Sequence, residues 1–219
     1  MDMRQCIAVL GGSFDPIHCA HVALVRLVVE ALHPDEVRII PAGNPWQKEG
    51  LQASGEDRLA MAKLAFRDEP YAVTIDEQEV RRTHSTYSID TLRALRQDAG
   101  PDASIVFMLG ADQLQRLHTW REWQHLFDYA HLFAVSRPGW PLDAGHVDSE
   151  VARFFAERRA TPEKIRAAQH GLACVSNELA VDISATSIRT AIAEGMPLGK
   201  LVPAGVLDYI QQHHLYKKT

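Results

Sequence analysis

Cysteine is scarce in this chain. Only Cys6, Cys19 and Cys174 occur among 219 residues, far apart and with no CxxC pair. An odd, scattered set argues against a disulfide scaffold or a cysteine zinc site and fits a reducing cytosol. Long hydrophobic runs are also missing. The most apolar stretch, residues 22–31, is broken by Arg26 and Glu30, and nothing approaches the roughly 20 apolar residues that cross a bilayer. The opening MDMRQC leads into a short apolar strand without the apolar region of a secretory signal. These features predict a cytoplasmic protein with no membrane association. An excess of basic residues is absent as well: 23 Lys and Arg stand against 28 Asp and Glu, a net charge of −5. That disfavours a nucleic-acid partner, while a local cationic site for a small anion stays open.

What is present is an ordinary globular composition, with 46% apolar and 23% charged residues. A chain of this length buries roughly 70% of its unfolded surface. One unit over residues 1–219 is expected, with a core over about 1–185 and a helical C-terminal part over about 186–219. CIAVLGG reads as a buried strand, residues 20–32 as a helix ended by His33-Pro34, and residues 36–41 as a second strand. Strand, helix, strand in this order is a βαβ unit. Further strands are predicted at 71–75, 104–109, 131–135 and 173–175. Helices are predicted at 56–66, with its charges on the outer face, and at 86–97, 150–159, 162–170, 186–194 and 203–213; loops are predicted at 43–55 and 138–148, and Arg81 and Arg82 are expected to be solvated. The order predicts an α/β fold, a Rossmann-like doubly wound parallel sheet with a helical C-terminal extension. Ligands in such sheets lie at the carboxyl ends of the strands, where the connections change direction.

The loop after the first strand reads GGSFDPIHCAH, residues 11–21. It matches neither GxGxxG nor GxxxxGK[ST]. Gly11 and Gly12 allow close backbone approach to an anion, and Asp15-Pro16 makes a turn into the helix. His18 and His21 lie three apart on one helix face, at an N-terminus whose free N–H groups and dipole already favour an anion. A zinc half-site is the competing reading of HxxH, but no third ligand lies at recognisable spacing. Near the other end, residues 182–189 read DISATSIR. Ser184, Thr186 and Ser187 open a helix. One of them serves as its cap, while a hydroxyl-rich N-terminus followed by Arg189 is suited to a polyphosphate.

GGSFDPIHCAH resembles the [GT/S]FDPxHxxH signature of the nucleotidyltransferase superfamily, and DISATSIR resembles its ISxTxIR element. Over nearly the whole chain the sequence is similar to the bacterial nicotinate-nucleotide adenylyltransferases. IIPAGNPWQK resembles IIPxxxPPHK, with Lys48 on the lysine and Gln47 in place of the histidine. STYSIDTL resembles SYTxxTL, MLGADQL resembles I-G-x-D through Asp112, and SRPGW resembles an RPG turn that brings Arg137 to the adenosine. HTWREW matches a tryptophan element through Trp120, with Arg121 where an aromatic is common. The resemblance implies adenylyl transfer from ATP to nicotinate mononucleotide, with Mg²⁺ carried on ATP and no protein metal ligands. It implies His18, His21, Lys48 and Arg189 as catalytic. It implies Gly11, Gly12, Ser13, Phe14, Arg137, Ser184 and Thr186 at ATP, and Asn44, Thr86, Tyr87, Ser88, Asp112 and Trp120 at the mononucleotide. The hydroxyls and N–H groups of residues 86–88 suit a carboxylate, and Trp120 offers a flat face to a pyridine ring. The alternatives are a sister transferase acting on nicotinamide mononucleotide or phosphopantetheine, a non-catalytic ATP-binding module, and a zinc hydrolase. Both a monomer and a homodimer are compatible with the sequence.

Overall fold

An unbroken apolar run makes CIAVLGG a strand that is buried on two sides, which is the signature of a central parallel strand. In the computed structural model this is β1 (Cys6–Gly12), followed by α1 (Cys19–Leu32) and β2 (Glu36–Pro41). The structure describes residues 4–44, 51–136, 146–176 and 183–217. The chain continues through α2 (Gly55–Phe66), β3 (Val73–Ile75), α3 (Ser88–Ala99), β4 (Ser104–Gly110), α4 (Ala111–Gln115) and β5 (His131–Val135). It ends with α5 (Ser149–Glu157), α6 (Pro162–Ala167), β6 (Ala173–Ser176), α7 (Ala185–Ala193) and α8 (Ala204–Gln212).

All paired strands are parallel, in the order β3-β2-β1-β4-β5-β6. Leu10 lies opposite Ile39 on one side and Met108 on the other. Cys6, Ala8 and Leu10 face one apolar layer with α1, α2, α7 and α8, while Ile7 and Val9 face another with α3 and α5. The predicted doubly wound α/β fold is therefore the observed one. Between β1 and β4 the direction of winding reverses, which leaves a crevice at their carboxyl ends.

The differences from the sequence reading are local. The third strand is limited to Val73–Ile75. The helix predicted from residue 86 begins at Ser88, because Thr86 N–H donates to the Asn44 carbonyl (3.1 Å) and Tyr87 is extended at φ −125. The short α4 and the 3-10 turns Leu117–Thr119 and Trp123–Asp128 were not expected, since none is long enough to show a helical period. Parts of the predicted loops 43–55 and 138–148 lie outside the described residues.

One larger correction concerns α2, whose charges were expected on its outer face. Arg58 is 2% exposed. It lies on the same stripe as Met61, Ala62 and Ala65, all buried. Its guanidinium donates to the carbonyls of Ser13 (2.9 Å), Gly43 (3.2 Å) and Ala42, so it ties the loop after β1 to the loop after β2. Burial works against the Arg58 charge, and the nearby Asp15 carboxylate is the foremost charge offsetting that cost. Asp15 is itself buried, with Oδ2 accepting from Gln52 N–H (2.9 Å) and Oδ1 from Ala53 N–H (3.1 Å) and the Tyr216 hydroxyl (2.8 Å). Glycine is required beside this clasp: a Cβ on Gly43 would stand 1.9 Å from the Glu79 carbonyl oxygen.

Replacing Arg58 with Met is expected to lower stability by about 3–5 kcal/mol, since it strips a buried charge partner from Asp15 and a donor from three carbonyls. In a chain this long that corresponds to a fall of about 10 °C in Tm by calorimetry; an unchanged Tm would show that the clasp carries no net stability. A second expectation concerns His131, fully buried at the start of β5. Its Nδ1 accepts from Leu172 N–H (3.0 Å), so Nε2 carries the proton toward the Ala168 carbonyl (3.3 Å). Burial pulls its pKa from 6.5 down to about 4. The unfolded chain therefore binds the extra proton first, and stability should fall as pH drops from about 6.5 to about 4, by roughly 3 kcal/mol at most from this group. Urea unfolding of His131→Gln across that range should show a shallower slope than the parent; equal slopes would assign the loss elsewhere.

Candidate active site

A cavity of about 550 Å³ opens at the crevice between β1 and β4, within the size range of small-molecule sites. It brings together Gly11, Gly12, Ser13, Phe14, His18, His21, Thr86, Tyr87, Ser88, Asp112, Trp120, Ser184, Thr186 and Arg189. Asn44 is exposed and outside the lining, and its carbonyl accepts from Thr86 N–H in this wall. Lys48 and Arg137, with Gln47 and Asp182, lie outside the described residues.

On the first wall the chain leaves β1 through Gly12, where a Cβ would meet the Phe14 ring at 2.6 Å. Phe14 takes a left-handed φ of 49° and is 1% exposed. A non-glycine residue there is strained, and in this conformation the ring lies inward, edge-on to His21 at 5.0 Å. Phe14 thus props His21 from the core. His18 is the N-cap of α1 and is 5% exposed, and its ring stacks on His21 with centroids 3.7 Å apart. His18 N–H donates to His21 Nδ1 (3.2 Å). With Nδ1 accepting, a neutral His21 carries its proton on Nε2.

Opposite the histidines lies the start of α7. Ser184 is its N-cap and accepts from Ser187 N–H (3.1 Å), so the cap expected among the three hydroxyls is Ser184. Thr186 is exposed, and its hydroxyl accepts weakly from Arg189 Nη2 (3.4 Å). Arg189 Nη1 donates to the Asp15 carbonyl (2.6 Å). That bond aligns the guanidinium with the loop after β1 and leaves its fork beside the helix N-terminus.

The far wall belongs to β4, α3 and the turn at 117–120. Trp120 is half-buried, edge-on to Phe107 at 6.3 Å, and its indole N–H is buried with no hydrogen-bond partner among the described residues. The Thr86 hydroxyl, on a residue 5% exposed, is likewise buried, next to the Glu79 carboxyl. Asp112 sits in the first turn of α4 and accepts from Gln113 Nε2 (2.9 Å).

Sequence reasoning missed Glu79 and Thr91 in this wall. Glu79 is 8% exposed and accepts from the Thr91 hydroxyl (2.6 Å). Burial raises its pKa, and the Thr91 hydrogen bond partly opposes that. Arg82 donates to Thr91 (3.0 Å), so it is engaged rather than simply solvated. A pattern signal existed for Arg58, whose spacing to Met61, Ala62 and Ala65 is that of a buried stripe; none existed for Glu79, which lies in irregular backbone.

Among the described residues no group of three His, Cys, Asp or Glu side chains is arranged to hold a metal ion, and no helix is long and apolar enough to cross a membrane. A family model described as cytidylyltransferase-like matches residues 9–191. A protein of Herminiimonas arsenicoxydans named "Probable nicotinate-nucleotide adenylyltransferase" is 61% identical over 98% of this chain and 98% of its own length. A protein of the same name from Laribacter hongkongensis is 42% identical over 98% of this chain and 96% of its own. The structure of Plasmodium falciparum nicotinic acid mononucleotide adenylyltransferase complexed with NaAD has a TM-score of 0.76 to this fold, covering 97% of this chain and 98% of that one, at 17% identity. That likeness carries the fold, and the closer sequence relatives carry the family. Matched in this way along nearly its full length, the chain belongs to the nicotinate-nucleotide adenylyltransferases, within the cytidylyltransferase-like family.

Proposed function

We propose that this protein transfers AMP from ATP to nicotinate mononucleotide, giving nicotinate adenine dinucleotide and pyrophosphate, as a cytoplasmic step of NAD biosynthesis. The observation that carries this reading is one cavity with two chemically different walls. The stacked His18 and His21 pair faces the N-terminus of α7 and its Arg189 on one side. Trp120, Thr86 and the N-terminus of α3 form the other. The first wall suits a triphosphate and the second an aromatic acid. We read residues 1–219 as one nucleotidyltransferase unit, with a core over about 1–185 and a helical C-terminal part over about 186–219.

In the reaction, a 5′-phosphate oxygen of the mononucleotide attacks the α-phosphorus of ATP. A new P–O bond forms, the bond to the α–β bridging oxygen breaks, and pyrophosphate carries away the electron pair. The attacking oxygen is already anionic, so no protein base is needed. The protein's task is alignment and stabilisation of charge. His21, with Nε2 as its donor, and His18 would stabilise charge on the transferred phosphoryl. Arg189, Ser184 and Thr186 would hold the β- and γ-phosphates, joined by Lys48, with Arg137 at the adenosine. Gly11, Gly12 and Ser13 let the backbone approach the phosphates. Tyr87, Ser88 and Thr86 would receive the carboxylate, Trp120 the pyridine face, and Asn44 and Asp112 the rest of the mononucleotide, Asp112 through ribose hydroxyls. Mg²⁺ would enter on ATP and neutralise triphosphate charge. Such an ion keeps much of its water and needs no all-protein cage, which fits the donors present.

The test is pyrophosphate release with ATP and Mg²⁺, offering nicotinate mononucleotide, nicotinamide mononucleotide and phosphopantetheine separately. Turnover should be fastest with the acid mononucleotide; faster turnover of either other acceptor would reassign the substrate. In the same assay His21→Ala should lower kcat by about a hundredfold, the usual loss of one preorganised donor, with the fold intact by circular dichroism. His18→Ala should do likewise with a greater rise in the KM for ATP. Full kcat in both variants would remove the pair from the chemistry.

Arg189→Lys keeps the charge but loses the planar fork. A charge-assisted bond is worth roughly 1.5–3 kcal/mol, so the KM for ATP should rise by about tenfold or more, with the mononucleotide KM nearly unchanged. Equal weakening of both substrates would show that Arg189 serves through its bond to Asp15 rather than through the triphosphate.

A further inference from the structure

Arg121 lies at the rim of the cavity beside Trp120. Its guanidinium carbon stands 4.9 Å from the centroid of the Tyr87 ring, and Tyr87 is the N-cap of α3. A guanidinium that stacks through its face keeps its N–H donors at the edge, in the plane of the group. The acidic neighbour available to neutralise it is Glu122, whose Oε1 is 3.4 Å from Arg121 Nε. Glu122 is shared, because its Oε2 takes a bond from Arg93 Nη2 at 2.5 Å, and Arg93 pairs in turn with Asp90 (3.3 Å). Among the described residues the Nη groups of Arg121 make no hydrogen bond.

Among the described residues the same corner holds a buried donor without a partner, the Trp120 indole N–H, with the Thr86 hydroxyl next to the Glu79 carboxyl. The first N–H groups of α3 add to it, since the Tyr87 side chain supplies no cap. The two other carboxyls of the cavity's far wall are engaged, Glu79 by Thr91 and Asp112 by Gln113. A cation held on an aromatic ring above a set of unfilled donors fits a planar anion, not a neutral amide.

We propose that Arg121 is a specificity-determining residue, whose guanidinium, aligned on the Tyr87 ring, meets the pyridine carboxylate of the mononucleotide and sets the preference for acid over amide. This rests on the reading of the cavity given under Proposed function. It assigns the choice of acid to a side chain that the motifs themselves do not specify.

The experiment measures kcat/KM for nicotinate and nicotinamide mononucleotides with the wild-type protein, Arg121→Gln and Arg121→Lys, at low and high salt. Arg121→Gln should lower the value for the acid about tenfold more than for the amide, mainly through KM, while the KM for ATP moves less than twofold. Arg121→Lys should fall between, because it keeps the charge and loses the fork. The dependence of the acid reaction on salt should shrink in Arg121→Gln, since an exposed charge pair is screened. An acid-to-amide ratio equal to that of the wild type would overturn the role of Arg121. So would an equal loss for acid and amide, which would make Arg121 a support for Tyr87 only. Turnover of neither mononucleotide by the wild-type protein would instead overturn the reading of the cavity itself.

Discussion

The structure turns on a buried guanidinium. A doubly wound sheet leaves its crevice where β1 and β4 part, and the loops that leave the strands there have no ladder to hold them. Their carbonyls would point into an apolar interior at a cost of a few kcal/mol each without donors. Arg58 meets three of them, those of Ser13, Ala42 and Gly43, and Asp15 supplies the countercharge. One arginine thereby fixes the relative height of the loop that carries the histidines and the loop that leads to Lys48. The fork matters more than the charge, because an ammonium is a point donor and could not span two loops in one plane.

From that clasp the chemistry of the first wall follows. Arg189 bonds to the carbonyl of Asp15 while the carboxylate of Asp15 takes Gln52, Ala53 and Tyr216. Arg189 is therefore registered against the same residue that the buried arginine stabilises. Phe14, held in a left-handed conformation at φ 49°, turns its ring onto His21. The donors proposed to meet the phosphates are thus fixed by packing beforehand rather than gathered by a ligand. Charge stabilisation by preorganised donors requires this, since donors that must reorganise give back much of their effect.

How much of this was legible in the sequence depends on the range of the interaction. Strand and helix order was readable because period and glycine punctuation are local, and β1 to β6 fall where the apolar runs predict. The HxxH pair and the hydroxyls before Arg189 were readable because each lies within one turn of helix. Thr86 was misplaced by two residues for a non-local reason: its N–H pairs with Asn44, more than forty positions away. Arg58 was misassigned because a charged residue in an amphipathic helix defaults to solvent, although its stripe with Met61, Ala62 and Ala65 pointed inward. Asp15 looked like a turn residue, and nothing near it in sequence could indicate Arg58 or Tyr216.

The last part of the chain shows why the site cannot be equated with its motifs. The family model matches residues 9–191, so α8 and Tyr216 lie beyond it. Yet Tyr209 donates to Asp57 Oδ1 (3.0 Å), beside the Ser54 cap of the helix that carries Arg58. Cys19 N–H at the first turn of α1 donates to the Leu201 carbonyl (3.0 Å). Tyr216, 7% exposed, closes the coordination of Asp15 from behind, and the carboxylate and burial together hold its phenol firmly protonated as a donor. Removing that donor would leave one carboxylate oxygen of the clasp with a single bond in the interior, where unpaired acceptors are most costly. The segment from residue 201 onward is therefore the rear wall of the loop after β1, and the motifs at the front keep their geometry because it packs against that loop from behind.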